Sequence, residues 1–501
     1  MTAIDSPAPT LAPAVQLQRR AVRAGVYSIA NQSVKSVANL AVFLVLAHYL
    51  GPGEFGLLAI AMSIQSLVAL LRDGGLANAL IQRKTATDLE RSSVWWVATA
   101  SSTVLAAALW ASAGALARYY EQPQLATILR LMTLPIVIQA AASVQEAHLV
   151  KSLHFGRLLA ADSGSVLVAT VAAIVAVVLG AGVWSLVIRV VAIPTIFGIL
   201  CWALSDWRPS RAFSTSALRS LWVFGGYLFL TTLLGYGISR LDGPLIGKLI
   251  GIEAAGVFSM ARTLATTPLQ DVSSAVARVL FPVFSSVQGD PGTIKSGCLT
   301  GTRCLAVLVF PLTAGLIAVS PEGVPIVLGE QWRPAIHVVQ IMATQGIVIC
   351  LSYPAIQILY ARGRSRLQFA YSVVVASATL ASFIFGAHWG IAGIAVGCTA
   401  TFYIATPWIL SFAGREVGMS LGESLSNVAM PAVAATAAAL AVRLLVHFWP
   451  AHWPGGALLL SAEIVLGLGS YALFAVLLMR GTLRKIATDL RAAGAMRAGR
   501  K

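Results

Sequence analysis

The sequence predicts an all-α polytopic membrane protein of about fourteen transmembrane helices, arranged as two parallel six-helix lobes around a central cavity plus two C-terminal helices. Three observations carry this expectation. The 501-residue chain is 57% hydrophobic and only 11% charged, with a mean hydropathy of +0.81, and a soluble chain of that length carries far more charge. Apolar runs long enough to cross about 30 Å of hydrocarbon recur along almost its whole length. A hairpin near Leu50 reappears about 200 residues later, which implies two similar halves.

Residues 1–18 hold Pro7, Pro9 and Pro13 among small polar residues and read as a disordered cytoplasmic tail without a signal peptide. Residues 19–204 form the expected N-terminal six-helix lobe. Its helices lie near 24–50, 55–81, 93–117 and 125–149, followed by two over 158–204 that only Gly180 and Gly182 separate. The polar stretch 205–220, SDWRPSRAFSTSALRS, is the expected cytoplasmic connector. Residues 221–412 form the second six-helix lobe, with helices near 221–247, 255–284, 297–319, 335–360, 367–386 and 391–412. An additional pair occupies 413–479, near 427–448 and 456–479, and 480–501 is a basic cytoplasmic tail. In that tail Leu483, Ile486 and Leu490 follow helical spacing beside Arg484, Lys485 and Arg491, as in a short helix lying on an anionic membrane surface.

The repeated hairpin is LGPGEFGLLAIA at 50–61 and RLDGPLIGKLIGIEAAGVFSMA at 240–261. Gly51 matches Gly251, Gly56 matches Gly256, and Ala61 matches Ala261. Glycine at the same two places points to one backbone need in both copies, a tight reversal followed by close packing of the next helix. Six crossings separate the two copies, so the halves share one orientation, a parallel repeat about an axis along the membrane normal.

Charge tests the topology. With a cytoplasmic amino terminus and every helix crossing, about 24 basic residues fall inside and about three outside, namely Arg118, Lys248 and Arg333. Both termini are therefore expected in the cytoplasm. The net charge of +16 then reflects basic loops on one side of a membrane, and no nucleic-acid partner is implied.

Charges inside the predicted helices each cost roughly 2.5–3.5 kcal/mol on insertion scales and need a reason. Lys35 lies about eleven residues from either end of its helix, roughly 16 Å deep, and shares a polar stripe with Asn31 and Asn39 that must face protein or water. Arg240 precedes the second hairpin turn and Arg262 follows it, so both can border the same cavity; Arg72 stands beside Asp73 in the second helix. Lys35, Arg72, Arg240 and Arg262 are the candidate substrate-binding residues, and surplus cations in an aqueous cavity suit a phosphate or pyrophosphate. Arg130, Arg189, Arg443, Glu146 and Asp162 read as snorkelling or structurally paired, and Arg278 as paired with a structural group. The five cysteines lack metal-ligand spacing and read as packing residues. No metal, cofactor, catalytic residue or Walker motif is identified.

The runs RLDGPLIGKLIGIEAAGVFSMA and YLGPGEFGLLAIAMSIQSLVALLRDGGLANALIQRK, with the fourteen-helix layout, resemble the polysaccharide transporter family. These are Wzx-type flippases of the multidrug/oligosaccharidyl-lipid/polysaccharide exporter superfamily, and the resemblance covers nearly the whole chain. It implies two six-helix lobes in a V plus two extra helices. The implied activity, which is not enzymatic, moves an undecaprenyl-pyrophosphate-linked oligosaccharide across the bacterial inner membrane for exopolysaccharide, capsule or O-antigen assembly, alongside a polymerase and other assembly proteins. The family's turn pattern carries over only onto Asp242, Gly247, Gly251 and Gly256; no ligand motif reaches Lys35, Arg72 or Arg262. Competing readings are a lipid II flippase, a multidrug antiporter, which the acid-poor first helix disfavours, and a non-transporting scaffold. A membrane polymerase or glycosyltransferase is another; its catalytic carboxylates would need a large external loop. The longest external connection expected here is Ser320–Pro334, whose Glu322 and Glu330 read as solvated loop charges.

Overall fold

The computed structural model describes residues 42–71, 80, 87–152, 155–216, 218, 241–286, 289–449, 456–478 and 480. Among them there is no strand. Ten helical stretches among the described residues are long and apolar enough to cross a membrane, so the chain is an all-α multi-pass membrane protein. Lys35, Arg72, Asp73, Arg240, both tails and most of the first and seventh expected helices lie outside the described residues.

The chain divides into two compact units, one of residues 1–49 and 68–230, the other of 50–67 and 231–501. After a helical stretch at 42–49, α1 is Pro52–Leu71, α2 Asp88–Tyr119, α3 Pro123–Lys151, α4 Phe155–Val178 and α5 Val183–Leu204. The elements that follow are α6 Asp242–Leu249, α7 Ile252–Ser286, α8 Pro291–Leu328, α9 Ala335–Ala343, α10 Gln345–Ala361, α11 Ser365–Gly386, α12 Gly390–Val417, α13 Leu421–His447 and α14 Ala457–Leu478.

In the first unit α2 packs on α3, α4 on α5, and α3 on α5. A capping box starts α2: the Thr87 hydroxyl accepts from Glu90 N–H, and the Glu90 carboxylate accepts from Thr87 N–H. Indole N–H groups of Trp95 and Trp202 both donate to the Ala141 carbonyl, at 2.8 and 2.9 Å, which ties α2 and α5 to α3. The turn between α4 and α5 uses Gly180 and Gly182 at φ 79° and 57°, left-handed backbone that glycine adopts without strain. The connector after α5 is not a free linker. Trp207 is buried and donates to Asp88 Oδ1 at 3.2 Å, Ser210 N–H donates to Ser92 Oγ at 3.0 Å, and Ser214 N–H to Ser93 Oγ at 2.9 Å. Its polar residues thus satisfy one another at the amino end of α2.

In the second unit one buried cluster joins α7, α8, α10, α12 and α13, around Phe284, Leu305, Val309, Ile358 and Leu410. Another joins α6, α7, α9, α11 and α12, around Ile246, Phe258, Val339 and Ile394. Lipid tails are as apolar as leucine, so close packing and small residues hold such helices together more than expulsion from water does. α14 lies on α13 and α8; Val465, Leu468 and Leu473 are exposed, as suits a bilayer-facing side.

Two expectations change. The stretch 335–360 is not one helix: Thr344 interrupts it, and its carbonyl accepts from the Tyr403 hydroxyl at 2.9 Å. A lateral donor satisfies the backbone group, so the break is tolerated at membrane depth. The expected loop Ser320–Pro334 is helical as far as Leu328, leaving only a short turn that contains the 3-10 segment Glu330–Trp332. Pro321 and Pro325 both sit inside α8, where neighbouring helices can resatisfy freed carbonyls. Glu322 is therefore a helix residue and not a solvated loop charge.

Candidate functional site: the repeated hairpin and its ion pair

The two copies of the hairpin motif meet. Gly51 and Gly251 each stand one residue before a helix, α1 and α7. A Cβ added at Gly56 would run into the Ile252 carbonyl, and one added at Gly256 into the Pro52 carbonyl, 2.8 Å from Gly56 N. Each glycine thus accepts the first turn of the other copy's helix, as a local two-fold relation between repeats requires. Gly243 extends the contact: its Cβ would lie 2.8 Å from the Ala59 carbonyl oxygen and 2.9 Å from Ser63 Oγ. The matched pair Gly51 and Gly251 differ. Gly251 has φ 134°, a conformation essentially reserved for glycine, whereas Gly51 is not in the left-handed region. The fourth residue of the family's turn pattern, Gly247, lies inside α6. Trp332, fully buried, closes the end of the crossing with an edge-on contact to Phe55, ring centroids 5.2 Å apart. Nearby, Gln331 Nε2 donates to the Leu50 carbonyl at 3.3 Å.

Beside this crossing lies an ion pair. Asp242 is the first residue of α6, where a carboxylate suits the positive end of the helix dipole. Arg262 sits ten residues into α7 and donates from Nη1 to Asp242 Oδ2. The Arg262 side chain is 35% exposed and that of Asp242 15%. The structure therefore brings together one candidate binding residue, Arg262, and the hairpin residues Asp242, Gly56, Gly243 and Gly256. Gly251 stands at the start of α7, whose third turn carries Arg262.

Several other intramembrane charges have partners. Arg130 stacks on the Trp110 ring, 5.0 Å from its centroid. Arg443 donates from Nη1 to Glu322 Oε2 at 2.8 Å and to the Ala318 carbonyl at 2.9 Å. The Glu322–Arg443 pair was not legible while Glu322 was assigned to a loop. An end-to-end reading of α8 would have placed Glu322 near the end of its helix, as Arg443 is near the end of α13, without showing that the two helices are neighbours. Glu416, towards the end of α12, joins Arg362 and Arg364 at 3.6 and 2.7 Å. Cys201, Cys298, Cys350 and Cys398 are buried free thiols, consistent with packing roles. Among the described residues no cluster of histidine, cysteine and carboxylate side chains is arranged to hold a metal.

Comparison with known proteins places this geometry in a family. The succinoglycan biosynthesis transport protein ExoT of Rhizobium meliloti is 27% identical over 89% of this chain and 91% of its own. The lipopolysaccharide biosynthesis protein WzxC of Escherichia coli is 26% identical over 74% and 75%. The teichuronic acid biosynthesis protein TuaB of Bacillus subtilis is 30% identical over 60% of this chain and 62% of its own length. Among solved structures, the lipid II flippase MurJ in an inward closed conformation superposes with a TM-score of 0.71, 13% identity, and coverage of 90% of this chain and 99% of MurJ. An inward-facing multidrug transporter of the MATE family gives 0.62 at 14% identity, over 77% and 94%; at these identities the likeness is one of fold. The polysaccharide biosynthesis protein family matches residues 45–337, more than half of the chain and the whole crossing of the two hairpins, and the chain belongs to that family.

Proposed function

We propose that the chain is a flippase that moves undecaprenyl-pyrophosphate-linked oligosaccharide repeat units across the bacterial inner membrane, by alternating access, for assembly of an extracellular or surface polysaccharide. The observation that carries this is similarity over nearly nine-tenths of the chain to a polysaccharide transport protein, on a fold shared with a lipid flippase. The lipid anchor stays in the bilayer, and the charged link and the sugar must cross. A diphosphate needs cations that a bilayer lacks. Arg262 supplies one beside the hairpin crossing, held by Asp242, and Lys35, Arg72 and Arg240 extend the set from the sequence. In this reading a diphosphate exchanges for Asp242 on Arg262, since guanidinium groups match paired phosphate oxygens. Both termini and the 205–220 connector lie in the cytoplasm, and a polymerase takes up the delivered repeat unit.

The test is reconstitution. Purified protein in vesicles carrying lipid-linked oligosaccharide should make the sugar accessible to an added impermeant lectin or glycosidase faster than protein-free vesicles do. Equal rates with and without protein, for oligosaccharide carriers and for lipid II alike, contradict the proposal. Transport of lipid II alone would assign the chain to the other substrate.

A further inference from the structure

α14 buries only Glu463 and Ala475 fully, with Tyr471 and Phe474 partly buried beside Ala475, while many of its other apolar side chains are exposed. Glu463 is fully buried, and neither carboxylate oxygen has a hydrogen-bond partner. Two helices face it. A Cβ on Gly323 of α8, next to Glu322, would lie 3.5 Å from Leu460, one turn before Glu463. A Cβ on Gly467, one turn after Glu463, would lie 3.3 Å from Val442 of α13, next to Arg443. Glu463 is thus set against the Arg443–Glu322 pair, whose side chains are 44% and 18% exposed. The depths agree: Glu322 and Glu463 lie six residues from the ends of α8 and α14 and Arg443 four from the end of α13, roughly 6–9 Å along each helix.

One guanidinium faces two carboxylates, and it is spent on Glu322. An ionised carboxylate without a hydrogen-bond donor from the protein is very costly to bury, whereas the neutral acid costs far less. We propose that Glu463, beneath the Arg443–Glu322 ion pair, is an intramembrane proton-binding site that links the additional helix pair to the rest of the second unit. Glu463 holds its proton while Arg443 stays on Glu322. When the proton leaves for the aqueous phase past the half-exposed Arg443, the new carboxylate competes with Glu322 for that guanidinium, and α14 is drawn towards α13. The charged groups that face Glu463 are Glu322 on α8 and Arg443 on α13, with His447 one turn beyond Arg443; Tyr471 lies two turns along α14 and donates to the Val307 carbonyl at 2.8 Å. Protonation of Glu463 therefore keeps Arg443 on Glu322, and loss of the proton opens that pair to exchange.

The test reads the carboxyl itself, so it stands or falls independently of the flippase reading. Infrared spectra of the full-length protein in lipid nanodiscs should show, at neutral pH, a protonated-carboxyl C=O band that shifts in D2O and is missing in Glu463→Gln. Glu322→Gln frees Arg443 for Glu463 and should remove the same band without any change at position 463. A parent spectrum lacking the band, or a band unchanged in both variants, overturns the proposal. So does a band lost when sodium replaces potassium at constant pH, which would make the site one for a metal cation. If Glu463→Gln does not fold, the Glu322→Gln result decides.

Discussion

The two hairpin copies carry matched glycines, yet the matched positions answer to different demands. Gly56 and Gly256 are equivalent: each lets the other copy's first helical turn approach until a Cβ would strike a carbonyl. Gly51 and Gly251 are not, since only Gly251 occupies left-handed backbone. A repeated residue thus records a shared contact in one case and, in the other, a conformational need that only one copy retains. Charge parts the copies further. The second has Asp242 paired with Arg262; the position matching Arg262 in the first copy is Met62.

The largest expected effect breaks the shared contact. Gly56→Leu and Gly256→Leu should each abolish recovery of monodisperse protein in detergent, because the obstacle is backbone and cannot rotate away; overpacking costs about 1–3 kcal/mol even where side chains can yield. Normal recovery of either variant would mean the helices do not cross at these glycines. Next comes the ion pair. Asp242→Ala removes the carboxylate to which Arg262 donates, and a loss of roughly 1–3 kcal/mol is expected in chemical denaturation, less than for a fully buried pair because Arg262 is one-third exposed. Restoration by Asp242→Glu, or near-neutrality of the double variant Asp242→Ala/Arg262→Ala, would locate the cost in the broken pair.

A smaller effect separates the unequal glycines. Gly251→Ala should destabilise by about 1–3 kcal/mol through strained backbone, whereas Gly51→Ala should stay within about 1 kcal/mol. Equal losses would erase the distinction. The smallest concerns a solvent-facing cap. Asp290 accepts from the Thr293 hydroxyl and from the N–H groups of Thr293 and Gly292 at the start of α8, and these bonds hold its carboxyl below the usual range. Its contribution is therefore present above the ordinary carboxylate range and lost as pH falls through the lowered value. Amide exchange over 291–294 should quicken at acid pH in the parent, with no such pH step in Asp290→Asn.

Most helices were legible because a bilayer imposes both length and apolarity: α2, α3, α8, α11 and α12 each contain the run expected from the sequence, and α4, α5 and α13 match it to within a residue or two. The repeat was legible because two backbones can cross closely only at residues without a Cβ. The Arg262–Asp242 pairing was not, because helical spacing places each residue on a face without saying which face meets it. Glu322 was misplaced for a related reason. The expected apolar run ends at 319, but α8 continues through Pro321 and Pro325 to Leu328, and only the packed helices reveal that Arg443 waits opposite.

The central claim is the proposal that Arg262, beside this crossing, and Lys35, named from the sequence, act on a lipid-linked anionic substrate, and leaflet accessibility of lipid-linked oligosaccharide at matched protein levels tests it most directly. Lys35→Ala and Arg262→Ala should each slow exposure of the sugar, the double variant should slow it further, and Lys35→Arg should retain more than Lys35→Ala because the charge persists. Parent-like rates in both single variants and in the double variant would contradict the claim.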